Sequence, residues 1–242
     1  MNNMTISILD QIIEDLKTGI IAEKAHFFPK FFKTGPGGYG EGDIFIGITV
    51  PHVRQIVKLY WKDISLEDTL TLLKDPIHEY RLTALFILVE KFTKTKDHSE
   101  KEVIVESYLC NIDYINNWDL IDTSAYKILG AWLYTRDRSI LYKLANENHL
   151  WKQRVAIIST FYFIKKNDYT TALEIAEILL NHKHDLIHKA VGWMLREIGN
   201  RNYDTEYDFL EKHYKIMPRT MLRYATEKFD ESVRQMFLKG QI

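Results

Sequence analysis

The sequence predicts an all-α fold, a solenoid of short helix pairs stacked in layers, and three observations carry that prediction. Beyond the first 50 residues, apolar side chains recur every three or four positions almost throughout, the period of a helix with a buried face. The breaks between these stretches are only a few residues long and carry helix start signals, which favours antiparallel neighbours joined by short turns. Several stretches are apolar nearly all round, so neighbours must cover them on more than one side.

Taken in order, the chain opens with Ile8, Leu9, Ile12, Ile13 and Leu16 at helical spacing. This reads as a helix and not as a secretory leader, which needs a basic flank and an uninterrupted apolar run. Residues 33–48, KTGPGGYGEGDIFIGI, break the pattern, and their glycines at 35, 37, 38, 40, 42 and 47 exclude a helix. Pro36-Gly37 suits the centre of a type II turn and DIFIGI alternates like a strand, so a small glycine-rich β-hairpin is expected there, with a surface loop as the alternative. Tyr39 near its tip suits a contact role, while Glu41 and Asp43 speak against simple phosphate binding. Pro51 and Pro76 each open a helical stretch, where proline is tolerated because first-turn amides have no helical partner. Further helices are expected over 66–73, 101–110, 118–134, 139–147, 150–166, 170–181, 185–198, 205–215, 218–227 and 230–239. Such a string implies HEAT-like stacking with a period of roughly 40 residues, expected as a single domain over residues 1–242.

Composition sets the outer bounds. A chain of 242 residues that is 46% hydrophobic and 13% aromatic can bury a substantial core and is not disordered. Lys and Arg number 32 against 33 Asp and Glu, a formal charge of -1, so no global field draws the chain to nucleic acid or membrane. Any DNA contact must come from a local basic face. Cys110 is the only cysteine, which excludes an intramolecular disulfide and a Cys-rich zinc site and fits a reducing compartment. No apolar stretch approaches the roughly 18 residues that span a bilayer, so a soluble cytoplasmic protein is expected.

Three motifs carry possible chemistry. In NNWDLIDTSAYKILG, Trp118 and Asp122 lie four apart and share a helix face, whereas Asp119 faces elsewhere in the first turn, where the helix dipole favours a carboxylate. An indole beside a carboxylate suits a cationic ligand; the alternative is a core tryptophan and a capping acid. In HKAVGWMLREIG, Lys189, Trp193, Arg196 and Glu197 fall on adjoining turns, and Gly192 permits close approach of a neighbouring helix or ligand. Again the alternative is a core tryptophan with solvated charges. In LWKQRVAIIST, Arg154 enters an otherwise apolar helix beside Lys152 and needs an anionic partner, either a phosphate or a carboxylate. His182, His184 and His188 lack a fourth ligand and read as a surface cluster, so no metal is expected. Asp119 and Asp122 point to different faces and do not make a glycosidase pair.

Taken as an ordered set, WDxxD, WxQRxAI about thirty residues later and KAxGWxLRE some forty after that resemble the HEAT-like-repeat DNA glycosylase superfamily, of which AlkD and AlkC are the named types. The resemblance runs from about Phe31, through FIGITVPHVRQIVK, to the last helices. It implies a right-handed superhelix whose concave face binds DNA, with Trp118 and Trp193 as active-site tryptophans, Asp122 as the catalytic aspartate and Arg154 as a contact to the DNA backbone. Lys152, Lys189, Arg196, Phe31 and Tyr39 are further expected DNA contacts. No cofactor is expected, and a monomer is.

The chain also departs from that pattern. An early active-site tyrosine is replaced by Phe31 or Phe32, and the KTGPGGYGEGD insertion is similar to the hairpin of the AlkF and AlkG branch, which binds branched DNA such as Holliday junctions without detectable glycosylase action. A major groove admits a two-stranded ribbon. The function expected at this point is therefore a DNA-binding protein of the repair superfamily that binds branched or distorted DNA with little or no glycosylase activity; the alternatives are an alkylpurine DNA glycosylase releasing cationic 3-methyladenine or 7-methylguanine and, third, a HEAT-type protein-interaction scaffold.

Overall fold

A computed structural model describes residues 6–242, and among them every regular element is helical. Contacts divide the chain into two compact units, one up to Ser124 and one from Ala125 onward. The first holds α1 (Ile8–Lys17), α2 (Ala22–Phe31), α3 (Val50–Tyr60), α4 (Leu66–Leu73), α5 (His78–Lys94), α6 (His98–Cys110), a 3-10 turn (Ile112–Tyr114) and α7 (Trp118–Ala125). The second continues with a π-helical turn (Tyr126–Gly130), α8 (Ala131–Leu133), α9 (Ser139–Asn146), α10 (Leu150–Ser159), α11 (Phe161–Ile164) and α12 (Thr170–Leu179). It closes with α13 (Asp185–Gly199), α14 (Tyr203–His213), α15 (Arg219–Ala225), a 3-10 turn (Thr226–Lys228) and α16 (Glu231–Lys239). No described helix is long and apolar enough to cross a membrane.

In the first unit, α1 starts where the Ser7 hydroxyl accepts the Asp10 amide at 3.0 Å and buries Ile12 and Leu16, two of the five residues whose spacing announced it. Pro51 sits in the first turn of α3, as its chemistry requires. Pro76 does not open α5: it precedes Ile77, the residue that flanks the helix, and the first helical residue is His78. From His78 to Val89 every residue of α5 is buried, against α3, α4 and α6. That run includes His78, Glu79 and Arg81, whose charges must find partners inside.

The expected β-hairpin at 33–48 does not form. Among the described residues there is no strand, and this segment makes only isolated bridges, Ile20 to Ile48 and Ile44 to Ile77. The tight turn itself is present, with the Gly38 amide donating to Gly35 O at 2.9 Å and Gly37 at φ 75°. What removes the ribbon is Glu79, whose Oε1 accepts from Gly47 N at 2.8 Å and from Ile46 N and Ile48 N at 3.1 Å. The backbone donors that a partner strand would need are bound to a carboxylate instead. Gly47 allows this approach: its φ is 89°, and a Cβ there would stand 2.4 Å from Ile21 O.

In the second unit, α13 packs on α10, α14 and α15, and Gly192 lets α15 come close, since a Cβ at that position would meet Met221 O and the Tyr224 side chain at 2.5 Å. The expected helix over 118–134 runs without interruption from Trp118 to Leu133 and includes a π-helical turn, at whose end Gly130 meets Ser159, where a Cβ would lie 2.2 Å from its carbonyl oxygen. The expected helix over 150–166 ends at Ser159 and resumes for one turn as α11, with the Thr160 hydroxyl donating to Ile157 O at 2.6 Å.

Glu206 on α14 is 1% exposed, and its Oε1 has no hydrogen-bond partner among the described residues. Burial raises its carboxyl to about 9, against a smaller opposing pull from Arg196. A group that folds protonated stabilises fully below its unfolded value of 4.5 and loses that contribution as pH rises towards 9. Glu206→Gln is therefore expected to be more stable than the parent at pH 7.5 by about 1–3 kcal/mol, with little difference at pH 4.5. Urea unfolding at the two pH values checks this; equal differences at both would rule it out.

Candidate functional site

The first unit builds its candidate site from a buried charge cluster outward. Asp43 and His78 are both almost wholly buried. His78 donates from Nδ1 to Asp43 Oδ2 at 3.1 Å and from Nε2 to Asp119 Oδ2 at 2.8 Å. Arg81 Nη2 donates to Asp43 Oδ1 at 2.5 Å, and Asn117 Nδ2 donates to Asp43 Oδ2 at 2.9 Å. Burial works against a charged imidazole, but the charge and hydrogen bond of Asp119, followed by those of Asp43, push His78 up to about 9. Asp43 is held below the ordinary carboxylate range: burial raises it, and hydrogen bonds from His78 and Asn117 with the Arg81 charge outweigh that. His78 is an imidazolium at neutral pH, clamped between two carboxylates.

The cluster ties three parts of the sequence to the start of α7. Asn117 is fully buried, and its Oδ1 accepts the Trp118 amide at 2.9 Å, so the residue that holds Asp43 also caps the helix. Asp119 sits in the first turn of α7, its Oδ2 engaged by His78. Trp118 and Asp122 then lie one helical turn apart on a shared face, both half-buried. The hydroxyl of Tyr108, fully buried, lies 3.1 Å from Ser124 Oγ; burial chiefly, with some help from the Asp122 charge, raises it above the usual phenol range.

Trp118 is also part of a continuous aromatic wall. Its ring stacks on Phe32 at 5.4 Å and 15°, Phe32 stacks on Phe45 at 4.7 Å, and Phe45 lies 4.3 Å from the His78 imidazolium. On the solvent side Phe31 meets Trp118 edge-on at 6.1 Å. Tyr39 does not reach outward from a hairpin tip; its hydroxyl donates to Phe31 O at 3.2 Å, and Lys33 lies over its ring. The arrangement offers a tryptophan face and a carboxylate to a cationic group.

The second unit carries a separate cluster around Trp193. The indole Nε1 donates to Glu197 Oε1 at 3.3 Å, and its ring lies 5.6 Å from Phe161. Lys165 stands over Tyr126 at 4.4 Å and over Phe161 at 4.8 Å. Burial first, and the like charge of Arg201 second, hold the Lys165 ammonium below its ordinary value. Arg154 is 4% exposed and donates from Nη1 to Leu186 O at 2.5 Å, joining α10 to α13. Lys152 pairs with Glu147 at 3.0 Å, Lys189 with Asp185 at 2.6 Å, and Arg196 with Glu227. The histidines cap and brace: His184 Nδ1 accepts the Leu186 amide at 3.1 Å, and His182 Nε2 is 2.9 Å from Gln153 Oε1. Among the described residues no group of His, Cys, Asp or Glu is arranged to hold a metal ion.

The family model described as DNA alkylation repair enzyme matches residues 12–229. The chain belongs to the DNA alkylation repair enzyme family. A solved structure described as a predicted DNA alkylation repair enzyme from Enterococcus faecalis is similar in fold, with a TM-score of 0.66 over 87% of this chain and 96% of that chain, at 16% sequence identity. No curated protein matches the chain.

For this member of the DNA alkylation repair family, the structure brings Phe31 against Trp118, with Asp122 one turn along α7, in the first unit, while Trp193, Arg154, Lys152, Lys189 and Arg196 lie in the second unit with separate partners. Sequence reasoning missed His78, Glu79, Arg81 and Asn117. A signal for three of them was present: HEYR opens a long apolar run, and charges that enter a buried helix require partners. It also passed over Tyr126 and Phe161, although FYFIKK interleaves aromatics with cations.

Proposed function

We propose that the protein is an alkylpurine DNA glycosylase, acting on duplex DNA that carries a cationic 3-methyladenine or 7-methylguanine. The observation that carries this reading is the placement of Asp122 one turn beyond Trp118 on α7, so that a carboxylate and an indole share one half-buried helix face. N3- or N7-alkylation leaves the purine positively charged, so it departs without a general acid. As the glycosidic bond breaks, its electron pair neutralises the base, and positive charge develops on the sugar. A carboxylate at Asp122 stabilises that charge and accepts the proton of the water that attacks C1′. Trp118 packs against the sugar and backbone, and its ring face favours the cation. In the second unit, Trp193 and the cations Arg154, Lys152, Lys189 and Arg196 are the further DNA contacts that the family resemblance implies.

A second reading, binding of distorted or branched DNA without excision, is favoured by one feature: Phe31 and Phe32 stand where the family resemblance implies a tyrosine, and neither has a hydroxyl. The two readings separate in one assay. Purified protein is incubated with methylated duplex, and released 3-methyladenine and 7-methylguanine are measured beside retention on a four-way junction. Release of methylpurine supports the first reading; retention without release supports the second and ends the first.

A further inference from the structure

The helix α2 carries a surface that the catalytic reading does not use. None of its residues is fully buried. Phe27, Phe28 and Phe31 of α2 and Phe32 just after it form two adjacent rows, the members of each one turn apart. Phe28 and Phe32 face inward to Phe45, at 5.9 and 4.7 Å. Phe27 and Phe31 face outward, each 51% exposed, and their rings stack at 5.8 Å with an interplanar angle of 28°. Pro29 lies between the members of both rows and fixes the backbone torsion there. Two stacked aromatic rings held in water on a short helix are an unexpected use of apolar surface, and they lie edge-on to Trp118 through Phe31.

The charges beside this pair indicate what covers it. Lys24 stands over the Phe27 ring at 5.8 Å, Lys30 lies 3.1 Å from His26 Nε2, and Lys33 follows at the end of the helix, held at φ 53°. Among the described residues, none of these three lysines is in an ion pair. The nearby carboxylates are few: Glu23 lies in the first turn of α2, and Glu41 accepts the Gly37 amide at 2.9 Å. Flat apolar rings flanked by unpaired cations match the chemistry of a nucleic-acid strand, whose bases stack and whose phosphates carry the charge. An apolar protein partner would not need three cations around two rings.

We propose that Phe27 and Phe31 form a stacking ledge for an unstacked DNA base, with Lys24, Lys30 and Lys33 on the adjoining phosphates. The ledge rests on the reading of the protein as DNA-binding, and deepens it by specifying the DNA it selects. The protein discriminates in favour of a duplex with an extrahelical base because only such a duplex offers a free base face. Phe27 is the discriminating residue, since Phe31 also supports Trp118.

Fluorescence anisotropy with two labelled duplexes, identical except for a single-base bulge, tests the ledge. The parent protein is expected to bind the bulged duplex more tightly, and Phe27→Ala to reduce that preference roughly tenfold. Phe27→Leu, which keeps apolar volume without a π face, is expected to lose it as well, while Phe27→Trp retains it. Lys24→Gln with Lys30→Gln is expected to weaken binding to both duplexes and to flatten the dependence on salt. A preference unchanged in Phe27→Ala and Phe27→Leu overturns the ledge while methylpurine release by the same variants leaves the glycosylase reading standing. Absence of DNA binding by the parent overturns both. A switch from oligomer to monomer in Phe27→Ala, with no effect on DNA, shows that a second protein surface covers the pair and also overturns the ledge.

Discussion

Asp122→Asn is expected to lower the rate of 3-methyladenine and 7-methylguanine release by about 10²–10³-fold, the usual effect of removing one preorganised group that faces charge developing in a transition state. Asparagine keeps the size of the side chain and its place on α7, so the variant should still bind methylated duplex. The loss belongs in the single-turnover rate and not in the affinity. Asp119→Asn supplies the contrast. Its Oδ2 accepts from His78, and its Oδ1 is buried with no partner among the described residues, so substitution there should appear first as lower thermal stability. Two carboxylates three residues apart are thus expected to fail in different assays. If Asp122→Asn releases methylpurines at the parent rate, the assignment of Asp122 is wrong; if both variants lose only stability, α7 is a structural helix without a catalytic face.

The second large effect concerns the buried cluster of Asp43, His78, Asp119, Arg81 and Asn117. Removing His78 leaves Asp119 without its charge partner and Asp43 with Arg81 and Asn117 alone, and breaking a buried pair in this way costs about 3–5 kcal/mol. His78→Ala is expected to fall in that range by urea unfolding. The pH dependence gives a sharper test. His78 is raised in the folded chain to about 9, so its contribution is complete below its unfolded value of 6.5 and is lost as pH rises through 9. Asp43 is lowered, so its contribution is present above the unfolded value of 3.8 and is lost as pH falls through its folded value. The cluster therefore stabilises most between about pH 4 and 6.5. Glu206 produces a slope of the same sign, beginning at 4.5, and the profile is best taken in Glu206→Gln. In that background, stability is expected to fall by about 3 kcal/mol between pH 6.5 and 9, and His78→Phe should flatten the fall. Parallel profiles would remove His78 from the account.

These two predictions rest on residues of very different legibility. Trp118, Asp122 and Trp193 could be singled out as candidates because local spacing and the order of three motifs along the chain are visible in a sequence. The helices were readable for the same reason: an apolar side chain every three or four positions states which face is buried, as at Ile12 and Leu16 in α1. Pro51 marked the start of α3 because a first-turn residue needs no amide. Such features depend on residues within a turn or two of each other, and a sequence displays them directly.

What the sequence alone determined, then, is an all-helical chain, most of its helix boundaries, and membership of a family through motifs on α7, α10 and α13. The tertiary structure decided the rest. The glycine-rich segment alternates like a strand, yet it folds as a turn gripped by Glu79, because a carboxylate more than 30 positions away takes its amides. Arg154 enters an apolar helix in the sequence, and only the fold shows that it is buried with its Nη1 on the Leu186 carbonyl, 32 positions away. His78 is an imidazolium only because Asp43 and Asp119, 35 and 41 positions away, converge on its two nitrogens. Periodicity records which face of a helix is dry, whereas partners for buried charges are chosen across the fold, where the low dielectric makes each contact strong and each omission costly.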